Sequence, residues 1–238
     1  DLLVKVDAIS VNPVDTKVRS PKPQLEDTPK VLGWDACGTV VSVGEGVSFF
    51  NQGDKVYYAG DITRSGSNAE FQLVDERLVG HAPKTLSVEE AAAIPLTTLT
   101  AWEAIFDRLN CCIESEKNQG KKLLIIGGAG GVGSIAIQIA SQIAGFDVIA
   151  TASKPASKAW CKEMGATHVI NHFDDIPTQL SALSINSCDY ILCCNQTDMH
   201  FDAMVEVIKP QGSICSIVDN IKPLALQKLK AKSATFVW

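Results

Sequence analysis

The sequence predicts an α/β protein in which a doubly wound parallel sheet follows a smaller β-rich lobe. Three observations lead there. The first ninety or so residues carry short alternating or β-branched runs separated by Gly, Asn, Asp and Pro, the pattern of a compact all-β unit. From about Ser87 the apolar period lengthens to that of helices, and aliphatic runs then alternate with helical segments. Between the run Leu123-Leu124-Ile125-Ile126 and the apolar helix pattern Ile135 to Ala144 lies a turn built from Gly127, Gly128, Gly130, Gly131 and Gly133.

In the lobe, Leu3 to Ile9 alternates, Gly38 to Gly44 is rich in β-branched residues, Gly53 to Tyr58 leaves a turn into a strand, and Ala69 to Val74 alternates again. Such strands suggest a small barrel or open sandwich over residues 1–94. Ser87, followed by Val88-Glu89-Glu90, is a helix N-cap with acidic residues in the first turn, opening a helix that runs to Ile94. Residues 95–238 form the second domain. A helix over Thr100 to Leu109 leads through a polar linker, Glu114 to Lys122, into the glycine strand. Strands are then expected at Asp147 to Ala152, His168 to Ile170, Asp189 to Cys194 and Ser213 to Val218. Helices are expected at Pro155 to Met164, Thr178 to Leu183 and Met199 to Ile208, the last stopped by a turn at Lys209-Pro210-Gln211-Gly212. No internal repeat or low-complexity segment occurs.

Gly128, Gly130 and Gly133 fit the spacing G-x-G-x-x-G between a strand and a helix, the turn of a Rossmann dinucleotide-binding unit. The first glycine permits the tight turn, the second lets the backbone, with Gly131 and Val132, approach a pyrophosphate, and the third packs helix on strand. The unpaired N–H groups and positive dipole end of the helix favour the anion without a basic side chain. The choice between NADPH and NADH rests on the end of the next strand. Asp147 lies about 20 residues past the first glycine, where a ribose-binding carboxylate is often counted, but it enters the strand, about 15–20 Å from the ligand end. At that end stand Ser153 and Lys154, with Lys158 one turn into the following helix and no carboxylate before Glu163. A hydroxyl and two ammonium groups suit a 2′-phosphate, so NADPH is the expected cofactor.

The net charge of −6 and the absence of a basic footprint argue against nucleic acid as a partner. No apolar run is long enough to span a membrane, and Asp1-Leu2-Leu3-Val4-Lys5 lacks the basic-then-apolar order of a signal peptide, so a cytoplasmic location is expected. The eight cysteines include no C-x-x-C pair and read as free thiols. The β-prone end, Ser233-Ala234-Thr235-Phe236-Val237-Trp238, would sit at a sheet edge and pair with a second copy across a two-fold axis.

Leu32-Gly33-Trp34-Asp35-Ala36-Cys37-Gly38-Thr39-Val40, Gly53-Asp54-Lys55-Val56, the segment Thr97 to Trp102 and the glycine turn occur in an order that resembles the medium-chain dehydrogenase/reductase superfamily. Within it the chain is most similar to quinone-oxidoreductase-like and zinc-type alcohol dehydrogenase-like proteins, and Asn12-Pro13-Val14-Asp15 is similar to the motif that opens their active site. The resemblance implies a GroES-like lobe joined to a Rossmann domain, an active site in the cleft between them, and a chain that lacks segments at both ends. It further implies edge-to-edge pairing of Rossmann sheets in a homodimer.

Zinc members of the family place a Cys where Asn12 stands and a His where Trp34 stands, so the resemblance implies no bound metal here. Hydride chemistry without metal remains, directed at a small quinone or α,β-unsaturated carbonyl. Asn12 is a candidate hydrogen-bond donor to the developing oxyanion. Thr97 and Thr98 match the segment lining the nicotinamide pocket, and Lys17 occupies the position where many relatives carry a tyrosine as substrate contact or acid. His172 matches a contact to the adenosine phosphate, and Asn195, after the strand Asp189 to Cys194, is placed with the cofactor residues. The alternative function is a dinucleotide-binding structural, sensor or RNA-associated module without robust turnover.

Overall fold

The computed structural model describes residues 1–24 and 26–238, which form two compact units, Asp1–Thr97 and Thr98–Trp238. The division falls inside the helix Pro95–Trp102 rather than before it.

The first unit holds a five-stranded antiparallel sheet: β1 (Leu2–Ser10), β2 (Asp35–Val43), β3 (Lys55–Ala59), β4 (Phe71–Val74) and β5 (Val79–His81), in the order β4-β1-β2-β3-β5. Alternation places Leu2 and Val4 of β1 inside while Lys5 and Asp7 face water. Leu2, Val4, Val40, Val56, Tyr58 and Val74 close around Phe50 to form the core. Strand β5, of three residues, is not among the strands expected from the sequence. A helix that periodicity did not reveal, α1 (Pro13–Arg19), separates β1 from β2. It forms for local reasons. Pro13 is pre-set for a first helical position, and the Asn12 N–H donates to Asp15 Oδ2 at 2.8 Å. Helix α2 (Val88–Ala92) starts as expected at Ser87, whose hydroxyl accepts the Glu90 N–H at 3.2 Å while Glu90 Oε2 accepts the Ser87 N–H at 2.8 Å. Its Ala91 and Ala92 pack against Cys37.

The second unit is a six-stranded parallel sheet with the order β11-β10-β9-β6-β7-β8, formed by β6 (Lys122–Ile126), β7 (Asp147–Thr151), β8 (His168–Ile170), β9 (Cys188–Cys193), β10 (Ile208–Ser216) and β11 (Thr235–Val237). The order reverses between β9 and β7 at β6, the switch point of a Rossmann sheet. The strands read as unbroken apolar runs because both faces are covered. Leu123 and Ile125 of β6 join Val148, Ala150 and Leu192 on one face, against α3 (Pro95–Trp102) with its π-helical continuation Glu103–Arg108, and α4 (Gly131–Gln138) continued by Ile139–Ile143. Leu124 and Ile126 face the other way, with Ile149, Ile191 and Ile214, against α6 (Ile176–Ala182) and α7 (Thr197–Val207). A further helix, α5 (Pro155–Glu163), follows β7.

The turn expected at Lys209–Gly212 lies within β10. The strand pairs Ile208 with Cys188, loses register, and regains it at Ser213 opposite Tyr190, with Gln211 at φ 63°. The pattern predicts a helix stop and a turn into the next strand; the helix stops at Val207, but the strand begins at once and absorbs the turn residues as an irregularity. Among the described residues, strand β11 pairs with β10 and stands last in the sheet order. Among the described residues no helix is long and apolar enough to cross a membrane.

Candidate functional site

Strand β6 ends in a turn held from the neighbouring strand. Gly127, at φ 85°, donates its N–H to Thr151 Oγ1 at 3.0 Å, and Gly128 donates to the Thr151 carbonyl at 3.0 Å. Thr151, 1% exposed at the end of β7, thus sets the turn's position on the sheet. The glycines answer two different needs. A Cβ at Gly133 would stand 2.3 Å from the Gly127 carbonyl oxygen and 2.8 Å from Gly128 Cα, so α4 can start this close to the turn only without a side chain there. At Gly130 a Cβ would approach that same oxygen no nearer than 3.4 Å, an ordinary contact. Gly130 is the N-cap of α4 and offers no side-chain cap, which leaves the first-turn N–H groups of Gly131, Val132 and Gly133 for an anion. This bare helix start fits the pyrophosphate of a dinucleotide.

The other predicted cofactor residues of this unit follow the C-terminal ends of neighbouring strands, the face on which ligands of such sheets bind. Asp147 pairs with Lys122 at the opposite end of β7, and so lies away from the turn. Half-buried Ser153 and exposed Lys154 follow β7, with Lys154 as N-cap of α5 and half-buried Lys158 one turn on; no acidic residue stands in that first turn. Trp160 Nε1 donates to Ser134 Oγ at 2.8 Å, tying α5 to α4. His172, beyond β8, has its ring 4.4 Å from that of Phe173 and 6.3 Å from that of His200. Burial pushes its pKa down, so the ring is neutral at pH 7 and its buried Nδ1 has no partner. Asn195 is exposed beside the glycine turn: a Cβ on Gly127 would lie 3.5 Å from its Cβ. Thr98 is half-buried in α3.

The first unit gathers Asn12, Asp35 and the Leu96-Thr97 segment. Asn12 Nδ2 donates to Asp35 Oδ2 at 2.7 Å, and Asp35 Oδ1 accepts the Leu96 N–H at 2.8 Å. Asn12 is 7% exposed and Asp35 is fully buried. Burial raises the Asp35 pKa to about 6, against the opposing effect of its two hydrogen bonds, with the nearby Asp15 charge adding to the rise. Asp35 was not singled out from the sequence as a site residue. Its one signal was a carboxylate inside the apolar run Trp34-Asp35-Ala36-Cys37. The Thr97 hydroxyl donates to the Ile94 carbonyl at 3.1 Å, while Lys17 is exposed on α1.

The residues at the metal-ligand positions do not fit a catalytic zinc. The Asn12 amide nitrogen donates to Asp35, the Trp34 indole has no free lone pair to offer, and among the described residues no three His, Cys, Asp or Glu gather as ligands. Thiol chemistry is disfavoured as well. Burial pushes Cys111 and Cys188 up to about 12, and Cys193 and Cys215 up to about 11, so these sulfurs stay protonated.

A two-domain nucleotide-dependent oxidoreductase is the class that this fold and these residues define, and comparison with known proteins names the family. The profile described as alcohol dehydrogenase GroES-like domain matches residues 1–97, and that described as zinc-binding dehydrogenase matches residues 131–234. A zinc-type alcohol dehydrogenase-like protein of Staphylococcus aureus is 48% identical over 236 residues, covering 99% of this chain and 70% of that protein. The 2-methylene-furan-3-one reductase of Solanum lycopersicum is 34% identical over 242 residues, covering 93% of the chain and 56% of the reductase. The crystal structure of Escherichia coli quinone oxidoreductase complexed with NADPH superposes with a TM-score of 0.83 at 25% identity, covering 99% of this chain and 71% of that one. The chain belongs to the medium-chain dehydrogenase/reductase superfamily and is an NAD(P)-dependent oxidoreductase of that family.

Two predictions follow from this geometry. Gly133→Ala should destabilise the second unit by about 1–3 kcal/mol, the scale of an overpacked contact. Gly130→Ala should leave the denaturation midpoint within about 0.5 kcal/mol of wild type yet weaken dinucleotide binding at least tenfold, because its methyl meets the ligand and not the fold. Denaturant melts and fluorescence titration of the two variants separate the roles.

A further prediction concerns pH. The folded-state pKa of Asp35, about 6, lies above the ordinary 3.8, so the stability tied to this group is complete below pH 4 and is lost as the pH rises through 6. Wild type should therefore lose up to about 3 kcal/mol relative to Asp35→Asn between pH 4 and pH 7. Paired melts at the two pH values check it; a constant difference would place the Asp35 pKa near its unfolded value.

Proposed function

We propose that the chain is an NADPH-dependent, zinc-independent reductase of quinones or α,β-unsaturated carbonyls. The observation that carries the cofactor choice is the chemistry after β7. Ser153, Lys154 and Lys158 stand there, with no carboxylate before Glu163. Ammonium groups and a hydroxyl attract a 2′-phosphate, whereas a ribose 2′-hydroxyl is usually held by an Asp or Glu at this point. Neutral His172 adds hydrogen bonding to the phosphate rather than charge. The glycine turn, Gly131, Val132 and Asn195 hold the rest of the dinucleotide.

When bound, NADPH supplies the hydride. The protein positions the acceptor, donates to the oxygen that becomes negative, and delivers a proton. Asn12 is the donor in this reading, through the amide N–H not taken by Asp35. Thr97 and Thr98 line the nicotinamide pocket, and Lys17 is the candidate for proton delivery. The names of two relatives, an enone reductase and a quinone oxidoreductase solved with NADPH, support the substrate class. The zinc-type name of the staphylococcal relative points the other way, and Asn12 and Trp34 at the ligand positions weigh against it here. The β-prone segment Thr235–Val237, paired with β10, is the strand through which a homodimer would form in this reading. One observation favours the alternative of a binding module without turnover: Lys17, in place of the expected tyrosine, is exposed.

Asn12→Ala decides between them. A donor aimed at a developing oxyanion is worth about 2.7–4 kcal/mol, so kcat should fall about 100- to 1,000-fold with NADPH affinity unchanged within twofold. A change in cofactor affinity alone would remove Asn12 from the chemistry.

Wild type should prefer NADPH over NADH at least tenfold, about 1.4 kcal/mol, with the preference shrinking as salt screens the lysines. Ser153→Asp should abolish it. Fluorescence titration with both cofactors is the measurement, and equal affinities in wild type would move the specificity site elsewhere.

A further inference from the structure

We infer that Asp35 is a positioning residue for Asn12: its buried carboxylate dictates which end of the Asn12 amide faces inward, and so makes the remaining N–H the group presented to substrate. This rests on the reading of Asn12 as the oxyanion donor.

The nitrogen and oxygen ends of an amide have nearly the same shape, so packing alone does not choose between them; hydrogen-bond partners do. For Asn12 the partner is the Asp35 carboxylate, which above its pKa of about 6 only accepts, and at 2.7 Å from Nδ2 it holds the nitrogen end. Asp35 cannot swing away from this duty. Its other oxygen is held by the Leu96 N–H at 2.8 Å, its carbonyl accepts the Ser67 hydroxyl at 3.2 Å, and its backbone is laddered between Ser10 of β1 and Ala59 of β3.

Asp15 grips the same residue from the backbone side. Its Oδ2 takes the Asn12 N–H at 2.8 Å, and its Oδ1 is buried without a partner. The Asp15 bond closes the start of α1 from the backbone side, while Asp35 acts on the Asn12 side chain. Burying a charge is costly unless hydrogen bonds offset it, and for Asp35 these come from Asn12 and Leu96. The orientation of Asn12 is what Asp35 adds. The nearby Asp15 charge acts on Asp35 in the same direction as its burial.

The test combines an activity measurement with one that needs no cofactor. In the chain labelled with 15N-asparagine, the Asn12 side-chain signals are assigned by their loss in Asn12→Ala. Wild type should show one of the two amide protons shifted downfield and slow to exchange, and Asp35→Asn should erase that difference while the thermal transition persists. In turnover, Asp35→Asn should lower kcat at least tenfold with the KM for NADPH within twofold. The double variant should be no slower than Asn12→Ala alone, because both changes remove one device.

Wild-type kcat in Asp35→Asn, or additive losses in the double variant, would overturn the inference. If Asp35→Asn fails to fold, the wild-type spectrum still decides: two equivalent, fast-exchanging Asn12 protons would sink the proposal. A full kcat in Asn12→Ala would instead remove the oxyanion reading, leaving the spectra to report on orientation alone.

Discussion

Helix α4 begins so close to the end of β6 that no side chain fits between them, and the second unit depends on that approach. With a Cβ at Gly133 only 2.3 Å from the Gly127 carbonyl oxygen, any residue larger than glycine would push the helix off the sheet. Because the helix starts there, its unpaired N–H groups point to where the strands end, and the field that binds an anion comes from the backbone. Thr151 completes the arrangement by holding both Gly127 and Gly128 from the adjacent strand. The bare start of α4 is thus built from the same contacts that pack the sheet.

The first unit solves a different problem. A family that commonly places metal ligands at two positions has here an amide and an indole, and the polarity that remains is organised around a fully buried carboxylate. Asp35 pays a desolvation cost that raises its pKa to about 6, offset by bonds from Asn12 and Leu96. Those two partners lie far apart in sequence. The carboxylate therefore joins the loop after β1 to the first turn of α3, two stretches that carry predicted site residues.

Much of this was legible in the residues themselves. The doubly wound sheet could be read because strands buried on both faces leave unbroken aliphatic runs, and helices leave a period near four. Strand polarity alone showed that Asp147 sits at the wrong end to touch a ribose, and its pairing with Lys122 places it there. Ser87 and Glu90 announced the start of α2 because a capping box is local. Helix α1 left no such mark: it is seven residues long with little apolar period, and it stands on a proline and one carboxylate. The Lys209–Gly212 segment looked like a turn because turn residues also suit an irregular strand.

By itself, the sequence determined the class of fold, the glycine turn and the charge of the residues after β7, since each follows from spacing or composition over a few residues. Only the tertiary structure decided that Asp35 faces Asn12, that Thr151 braces the turn and that Asn195 lies beside it. Each of these joins residues from separate strands or loops, and a contact across 23 positions or more leaves no periodic trace in a single chain. It exists only once the backbone has brought the two stretches together.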